Sequence, residues 1–297
     1  MLQLVWFKRD LRLHDHAPLV AAAASGRVLP VYVHEPEVQQ APDFSARHAM
    51  FLRESLDALR ASLAQVGAPL VELHGALPDV FEQLRIALPI AAIHAHEETG
   101  NGITYARDRR VRAWARQRGV PLHERQGAGV IRRLASRDGW HEQWTHTMRQ
   151  PVARAPERLV GPTTEEFARI PTSLTTHVPT AHDAALTTRQ RGGRAEGEAL
   201  LGSFLYERGE DYRRAMSSPS EAEHACSRLS AHFAFGTLSN REAYQAARTR
   251  ARALRDEFRA APKRVQPSLV RWQQSLVSFA SRIEWRDHFT QKLEGEP

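Results

Sequence analysis

Leu2-Gln3-Leu4-Val5-Trp6-Phe7 runs without a break into Lys8-Arg9-Asp10-Leu11-Arg12-Leu13-His14-Asp15-His16. The first six residues are a short apolar run of the kind that forms a strand buried on both faces. Similar runs follow at residues 28–34, 69–73, 90–94 and 120–123. Helical patterns separate them. Ser45 is a cap for a segment placing Leu52, Leu56, Leu59, Leu63 and Val66 at helical spacing, which Gly67 and Pro69 then stop. Phe81, Leu84 and Leu88 outline a second helix and residues 103–117 a third. Strand and helix alternating this often predict a doubly wound parallel sheet, with ligands at the carboxyl ends of its strands. The charged run after the first strand falls at such an end, although a solvated, self-paired loop is the commoner outcome for such a cluster. No Gly-rich phosphate cradle follows the strand, which argues against a dinucleotide fingerprint.

The expected organisation is an α/β domain over residues 1–131, then a Thr-, Pro- and Arg-rich connector over 132–194 with little regular structure. An all-helical part then covers 195–297. At 297 residues the chain has the length of roughly two domains. The 41 Lys and Arg against 34 Asp and Glu leave a net charge of +7. That favours polyanionic partners without separating nucleic acid from a nucleotide cofactor. No apolar run approaches the ~20 residues that cross a bilayer, and no secretory signal opens the chain. Cys226 is the one cysteine, so no internal disulfide forms, in keeping with a reducing cytoplasm.

Two groups of residues in the later part could carry chemistry, and a weaker candidate lies in the first domain. Ser227-Arg228-Leu229-Ser230 opens a helical pattern with hydroxyls and free backbone N–H groups; it suits a phosphate and equally a plain double cap. In the last helix Leu269, Trp272, Leu276, Phe279 and Ile283 make a core stripe. Trp285 lies about 180° around the wheel from Leu276, among Gln274, Ser278, Ser281, Arg271 and Arg282. That position suits a ligand wall, or a Trp packed under a neighbouring helix. His94-x-His96 with Glu97 and Glu98 has metal-like spacing, but strand ends commonly carry such residues, and no metal is expected. Trp140 and Trp144, four apart, read as a packing pair.

Trp6-Phe7-Lys8-Arg9-Asp10-Leu11-Arg12, followed by Asp15, closely resembles the opening of the photolyase/cryptochrome family, with Lys8 where Arg is usual. A second block agrees: Tyr212, then Ser-Arg-Leu-Ser at 227–230, then Phe235-Gly236-Thr237-Leu238-Ser239 and Arg241. The resemblance implies that Tyr212, Ser227, Leu229 and Ser230 hold the diphosphate of FAD. Cys226 stands where many members have Thr. A third match is Trp285-Arg286, which in the family line the flavin and lesion cavity. Enzymes that repair cyclobutane dimers commonly have Glu three residues before that Trp; here it is Arg282.

What the resemblance implies is a deoxyribodipyrimidine photolyase-like carbon–carbon lyase. Blue light excites reduced FAD, an electron passes to a flipped-out pyrimidine dimer in DNA, the ring splits and the electron returns. The alternatives are a cryptochrome-like light sensor and an inactive remnant. The first domain resembles one that can hold an antenna pigment; Glu98-Thr99-Gly100 lies near that pocket, and Thr104 stands where some members have a folate-contacting Glu. The family continues well beyond residue 297, so the chain reads as truncated within its helical domain. With a true terminus there, FAD binding is expected to be weak or absent. A cytoplasmic monomer with no membrane partner completes these expectations.

Overall fold

The structure is a computed structural model that describes residues 1–175 and 189–295. It divides into two units. Unit 1 comprises Met1–Gly127, Ala153–Arg194 and Phe235–Thr237; unit 2 comprises Ala128–Val152, Ala195–Ala234 and Leu238–Pro297.

Unit 1 holds a five-stranded sheet in the order β3-β2-β1-β4-β5, every pairing parallel. The strands are β1 (Leu2–Phe7), β2 (Arg27–His34), β3 (Val71–His74), β4 (Ile90–His96) and β5 (Leu122–Arg125). Between them run α1 (Ala17–Ser25), α2 (Pro36–Gln39), α3 (Ala46–Gln65), α4 (Asp79–Ala87) and α5 (Gly102–Arg118). All six residues of β1 are buried, and their side chains alternate between two cores as the pleat requires. Leu2, Leu4 and Trp6 join Phe81 and Leu84 of α4 and Val111 and Trp114 of α5. Val5 and Phe7 join Leu19 of α1 and Leu52, Leu56, Leu59 and Leu63 of α3. Helices on both faces make the sheet doubly wound, as the alternation predicts, and the order reverses between β1 and β4.

Two features differ from the sequence reading. Residues 17–25, which the sequence reading assigns to no element, form α1; an Ala-rich helix shows little periodicity, and its start is set by the His16 ring accepting from Leu19 N–H at 3.1 Å. The stretch read as an irregular connector carries α6 (Trp140–Arg149), α7 (Thr164–Ala168) and α8 (Thr172–Thr175), and it is shared between the units. Thr163 and Glu166 cap α7 reciprocally, a short-range signal easily lost among Thr and Pro. Part of that stretch, 176–188, lies outside the described residues.

Unit 2 is helical: α6, α9 (Arg194–Ser203), a π-helical turn (Phe204–Arg208), α10 (Tyr212–Ala215), α11 (Pro219–Ala225), α12 (Ser230–Phe235), α13 (Asn240–Ala260) and α14 (Gln266–Gly295). Its core gathers Trp144, Phe204, Leu229, Tyr244, Leu276, Phe279 and Ile283. The Leu276, Phe279, Ile283 stripe of α14 therefore lies inside, as its spacing predicts. Among the described residues, no helix is long and apolar enough to cross a membrane.

Candidate functional site

At the carboxyl ends of β1 and β4 the charged run is self-paired but buried, where a solvated loop was the plainer expectation. Lys8 Nζ lies 3.3 Å from Asp108 Oδ2 and 4.3 Å from the centre of the Trp6 ring. Lys8 N–H donates to Asp10 Oδ1 at 2.7 Å. His96 Nδ1 lies 2.7 Å and His16 Nε2 3.0 Å from the other oxygen of Asp10. Burial alone would raise the Asp10 carboxyl, but His16 and His96 outweigh it and hold Asp10 well below the usual range. Burial, with His16 adding to it, pushes His96 down to about 4. These three residues could hold a metal ion by proximity. However, His16 Nδ1 accepts from Leu19 N–H, so the neutral ring carries its proton on Nε2, facing the carboxylate. The metal-like spacing at 94 and 96 is not realised as a pair, because His94 bonds Gln3 Oε1 at 2.9 Å instead.

Arg107 of α5 fills the same end of the sheet. Its guanidinium donates to Glu35 Oε1 at 2.6 Å, Glu98 Oε2 at 2.5 Å and Asp108 Oδ1 at 2.9 Å, and stacks 4.8 Å above Trp6. Burial would lower its pKa, yet Glu98, Glu35 and Asp108 drive it upward. Burial raises Glu35 to about 7 against the pull of Arg107, and Glu35 Oε2 is buried with no hydrogen-bond partner among the described residues. Glu98 is held low because Arg107, Lys8 and Arg9 outweigh its burial. The cavity beside this set, lined by Trp6, Tyr32, Glu35, Glu98, Thr104 and Arg107, has a volume of about 50 Å³. Small-molecule sites usually run to about 300–1,000 Å³. A pigment at this strand end would have to displace the Arg107 ion pairs.

Gly236 belongs to unit 1 and packs closely against the first sequence block. Its φ is +67°, and a Cβ there would lie 2.2 Å from Arg9 O. Its carbonyl accepts from Arg12 at 3.0 Å.

In unit 2, Tyr212 opens α10 and is buried, its ring edge-on to Phe204 at 5.3 Å and to Phe279 at 6.1 Å. Burial pushes its hydroxyl up to about 12, with Cys226 adding and Arg282 opposing. Leu229 is fully buried in the core, Ser227 is half-buried and Ser230 is exposed at the start of α12. Arg228 between them has φ +62°, in the left-handed region. Burial raises the Cys226 thiol, which keeps it protonated and unreactive. Trp285 is 51% exposed, so the packed-Trp alternative is not realised. The Arg282 guanidinium lies 4.4 Å over its ring. Arg286 reaches Phe233 O of α12 and Asp287 Oδ1, both at 3.4 Å.

Sequence reading missed Asp287. It is fully buried and accepts from Gly129 N–H at 3.1 Å, Trp144 Nε1 at 3.0 Å and Asn240 Nδ2 at 2.7 Å. Burial raises its pKa against those donors. The signal was present: Asp287 and Gln291 continue the core stripe of α14 at i+4 beyond Ile283. Gln291 exchanges bonds of 2.7 and 2.9 Å with the backbone of Ile131. Trp140 and Trp144 form the expected pair, 6.3 Å apart.

Residues 3–139 match the DNA photolyase family model. A cryptochrome DASH of Gloeobacter violaceus is 26% identical across 96% of this chain and 58% of its own length. The chain resembles the photolyase/cryptochrome family along nearly its whole length, and the family model itself matches residues 3–139. Two solved family structures share the fold. A bacterial class III photolyase from Agrobacterium tumefaciens superposes with a TM-score of 0.72 at 22% identity, over 99% of this chain and 59% of that one. An archaeal photolyase from Sulfolobus tokodaii, solved with two FAD molecules, gives 0.62 at 23% identity, over 87% and 58%. The chain thus spans about three-fifths of the length of these photolyase/cryptochrome relatives.

Proposed function

We propose that unit 2 holds FAD and serves a blue-light-dependent, photolyase-like reaction on DNA carrying ultraviolet lesions. The observation that carries this reading is that Tyr212, Leu229 and Phe279 share one buried core, with Cys226 packed against it. That core includes Leu229 of the 227–230 segment and Phe279 of the helix that carries Trp285, so the reading of these two blocks as one site has packing to support it. The donor set suits a diphosphate: the Ser227 and Ser230 hydroxyls, the Tyr212 hydroxyl, and the Arg228 guanidinium for the negative charge. Leu229, fully buried, anchors the segment that carries the two serines. When bound, the flavin supplies light absorption and single-electron transfer. The chain's own work is to grip the diphosphate and to offer the exposed Trp285 indole, with Arg286, as a wall for a flipped base. The net positive charge would add salt-dependent attraction to DNA phosphates. In this reading the protein acts as a monomer in the cytoplasm, where an unpaired cysteine is at home.

An antenna pigment in unit 1 would sit against the strand-end cavity that Arg107, Glu35 and Glu98 line. A cryptochrome-like sensor is the second reading, and one contact favours it. Arg282 covers a face of Trp285 that a lesion would need. The test is direct: purified protein is given ultraviolet-irradiated DNA under blue light and in the dark, and its absorbance is scanned for flavin. Light-dependent loss of lesions supports repair. Flavin photoreduction without repair moves the assignment to the sensor, and absence of flavin rejects both.

A further inference from the structure

The π-helical turn Phe204–Arg208 ends in a guanidinium with an unusual set of partners. Arg208 Nη1 donates to Cys226 O and, at 3.4 Å, to His224 O. Its Nη2 donates to Ser227 O at 2.9 Å and Leu200 O at 3.3 Å, and its Nε to Ser203 Oγ at 2.9 Å. These acceptors are neutral oxygens, five of them on one half-buried cation. Burial and the neighbouring Arg228 charge lower its pKa, with Cys226 and Glu207 opposing. A guanidinium held this way serves as a clamp on backbone, and it also leaves positive charge beside the segment.

The clamp fixes which way two peptide groups face. In a trans peptide the C=O and the following N–H point in opposite directions. With the carbonyls of Cys226 and Ser227 turned toward Arg208, the N–H groups of Ser227 and Arg228 are turned away from it. The next residue in that sequence, Arg228, adopts φ +62°, a backbone state that a β-carbon disfavours and that recurs where successive N–H groups converge on an anion. The two carbonyls immediately before it are the ones tethered to Arg208.

We infer that Arg208 is a positioning residue for the diphosphate of FAD: by clamping the carbonyls of residues 224, 226 and 227 it presents the 227–228 amides and adds a positive charge behind them. This rests on the FAD reading given above and adds a residue to it. Arg208 touches backbone rather than cofactor, so its effect reaches the ligand through the segment it orients. Lys cannot replace it, since one ammonium with three donors cannot span these carbonyls with a planar fork.

The experiment measures dissociation constants of the full chain for FAD and for riboflavin, which lacks the diphosphate, by flavin fluorescence and absorbance. Wild type, Arg208→Lys and Arg208→Gln are compared, with thermal melting recorded for each. The expected result is FAD binding weakened about 10-fold or more in both variants, with riboflavin affinity unchanged, because charge-assisted contacts act on the diphosphate alone. A variant that merely loosened the fold would lose both ligands together, and that outcome overturns the inference. So does an unchanged FAD constant in variants of a wild type that binds FAD. A wild type that takes up no FAD overturns the cofactor reading itself, and with it this addition. Should Arg208→Gln fail to fold, Arg208→Lys, which keeps the charge and a hydrogen-bonding stem, decides between the outcomes.

Discussion

The two charged regions of this protein treat electrostatics in opposite ways. At the strand ends of the α/β unit, Lys8, Asp10, Glu98, Arg107 and Asp108 are buried and bonded to one another. Around Trp285 in the helical unit, the indole is half exposed, Ser230 faces solvent, and the guanidinium groups of 208 and 286 spend their donors on backbone carbonyls. A region whose charges are internally matched behaves as structure, because any ligand must break pairs already made. A region whose polar groups are held in place yet still open can gain from a ligand. The family motif at residues 6–15 is thus chiefly a folding device, although it is the part most easily recognised.

The sharpest way to break this comparison is Arg107→Ala. It leaves the buried Glu35 without its ion-pair partner and takes one partner each from Glu98 and Asp108, and removing one partner of such a set typically costs about 3–5 kcal/mol. Denaturant unfolding should register the loss; a cost under about 1 kcal/mol would mean the network is not structural. Asp287→Ala comes next, since it orphans the Gly129, Trp144 and Asn240 donors in the helical unit, at about 2–4 kcal/mol. Far-ultraviolet dichroism melts should show it, with Asp287→Asn recovering part of the loss because it retains one acceptor.

Smaller effects come from pH. The His96 pKa of about 4 is depressed, so the folded state resists protonation and stability is lost as pH falls from the unfolded value near 6.5 toward 4. Glu35, raised to about 7, works the other way: its favourable contribution is complete below about 4.5 and is lost as pH rises through about 7. His96→Asn should flatten the acid decline and Glu35→Gln the decline toward neutrality, each shifting melting temperature by a few degrees, about 2–4 °C per kcal/mol. Identical pH profiles for the two variants would contradict the opposite signs. The least stability effect belongs to Trp285→Ala, within about 0.5 kcal/mol because half of the side chain is already in water. Its binding to ultraviolet-damaged DNA should nonetheless weaken about 10-fold, the worth of one aromatic stack. Equal affinity in a filter or anisotropy assay would remove Trp285 from the proposed site.

Much of the fold was legible because its signals are local and repeated. β1 needs burial on both faces, and Leu2–Phe7 is apolar throughout; α3 needs a stripe, and Leu52 to Leu63 supply one. The 132–194 stretch was not, since α6 owes its position to Trp144 and Trp140 packing in a core built from residues far along the chain. The candidate cofactor residues were found by ordered motif, yet the groups that orient them were not. Arg208 lies 18 residues before the carbonyl of Cys226, and Asp287 lies 158 residues from Gly129.

Hydrophobic spacing by itself determined a parallel α/β sheet followed by helices, because burial of apolar surface follows the period of each element regardless of partner. It also determined that Trp285 leaves the core stripe. Only the tertiary structure decided that the charged run after β1 is an internal ion network, that Arg282 covers the indole, and that Arg208 turns the peptides of the 226–228 segment. Those outcomes depend on which side chains meet across long sequence separations. A hydrogen bond or ion pair has no periodicity that would announce its partner in advance.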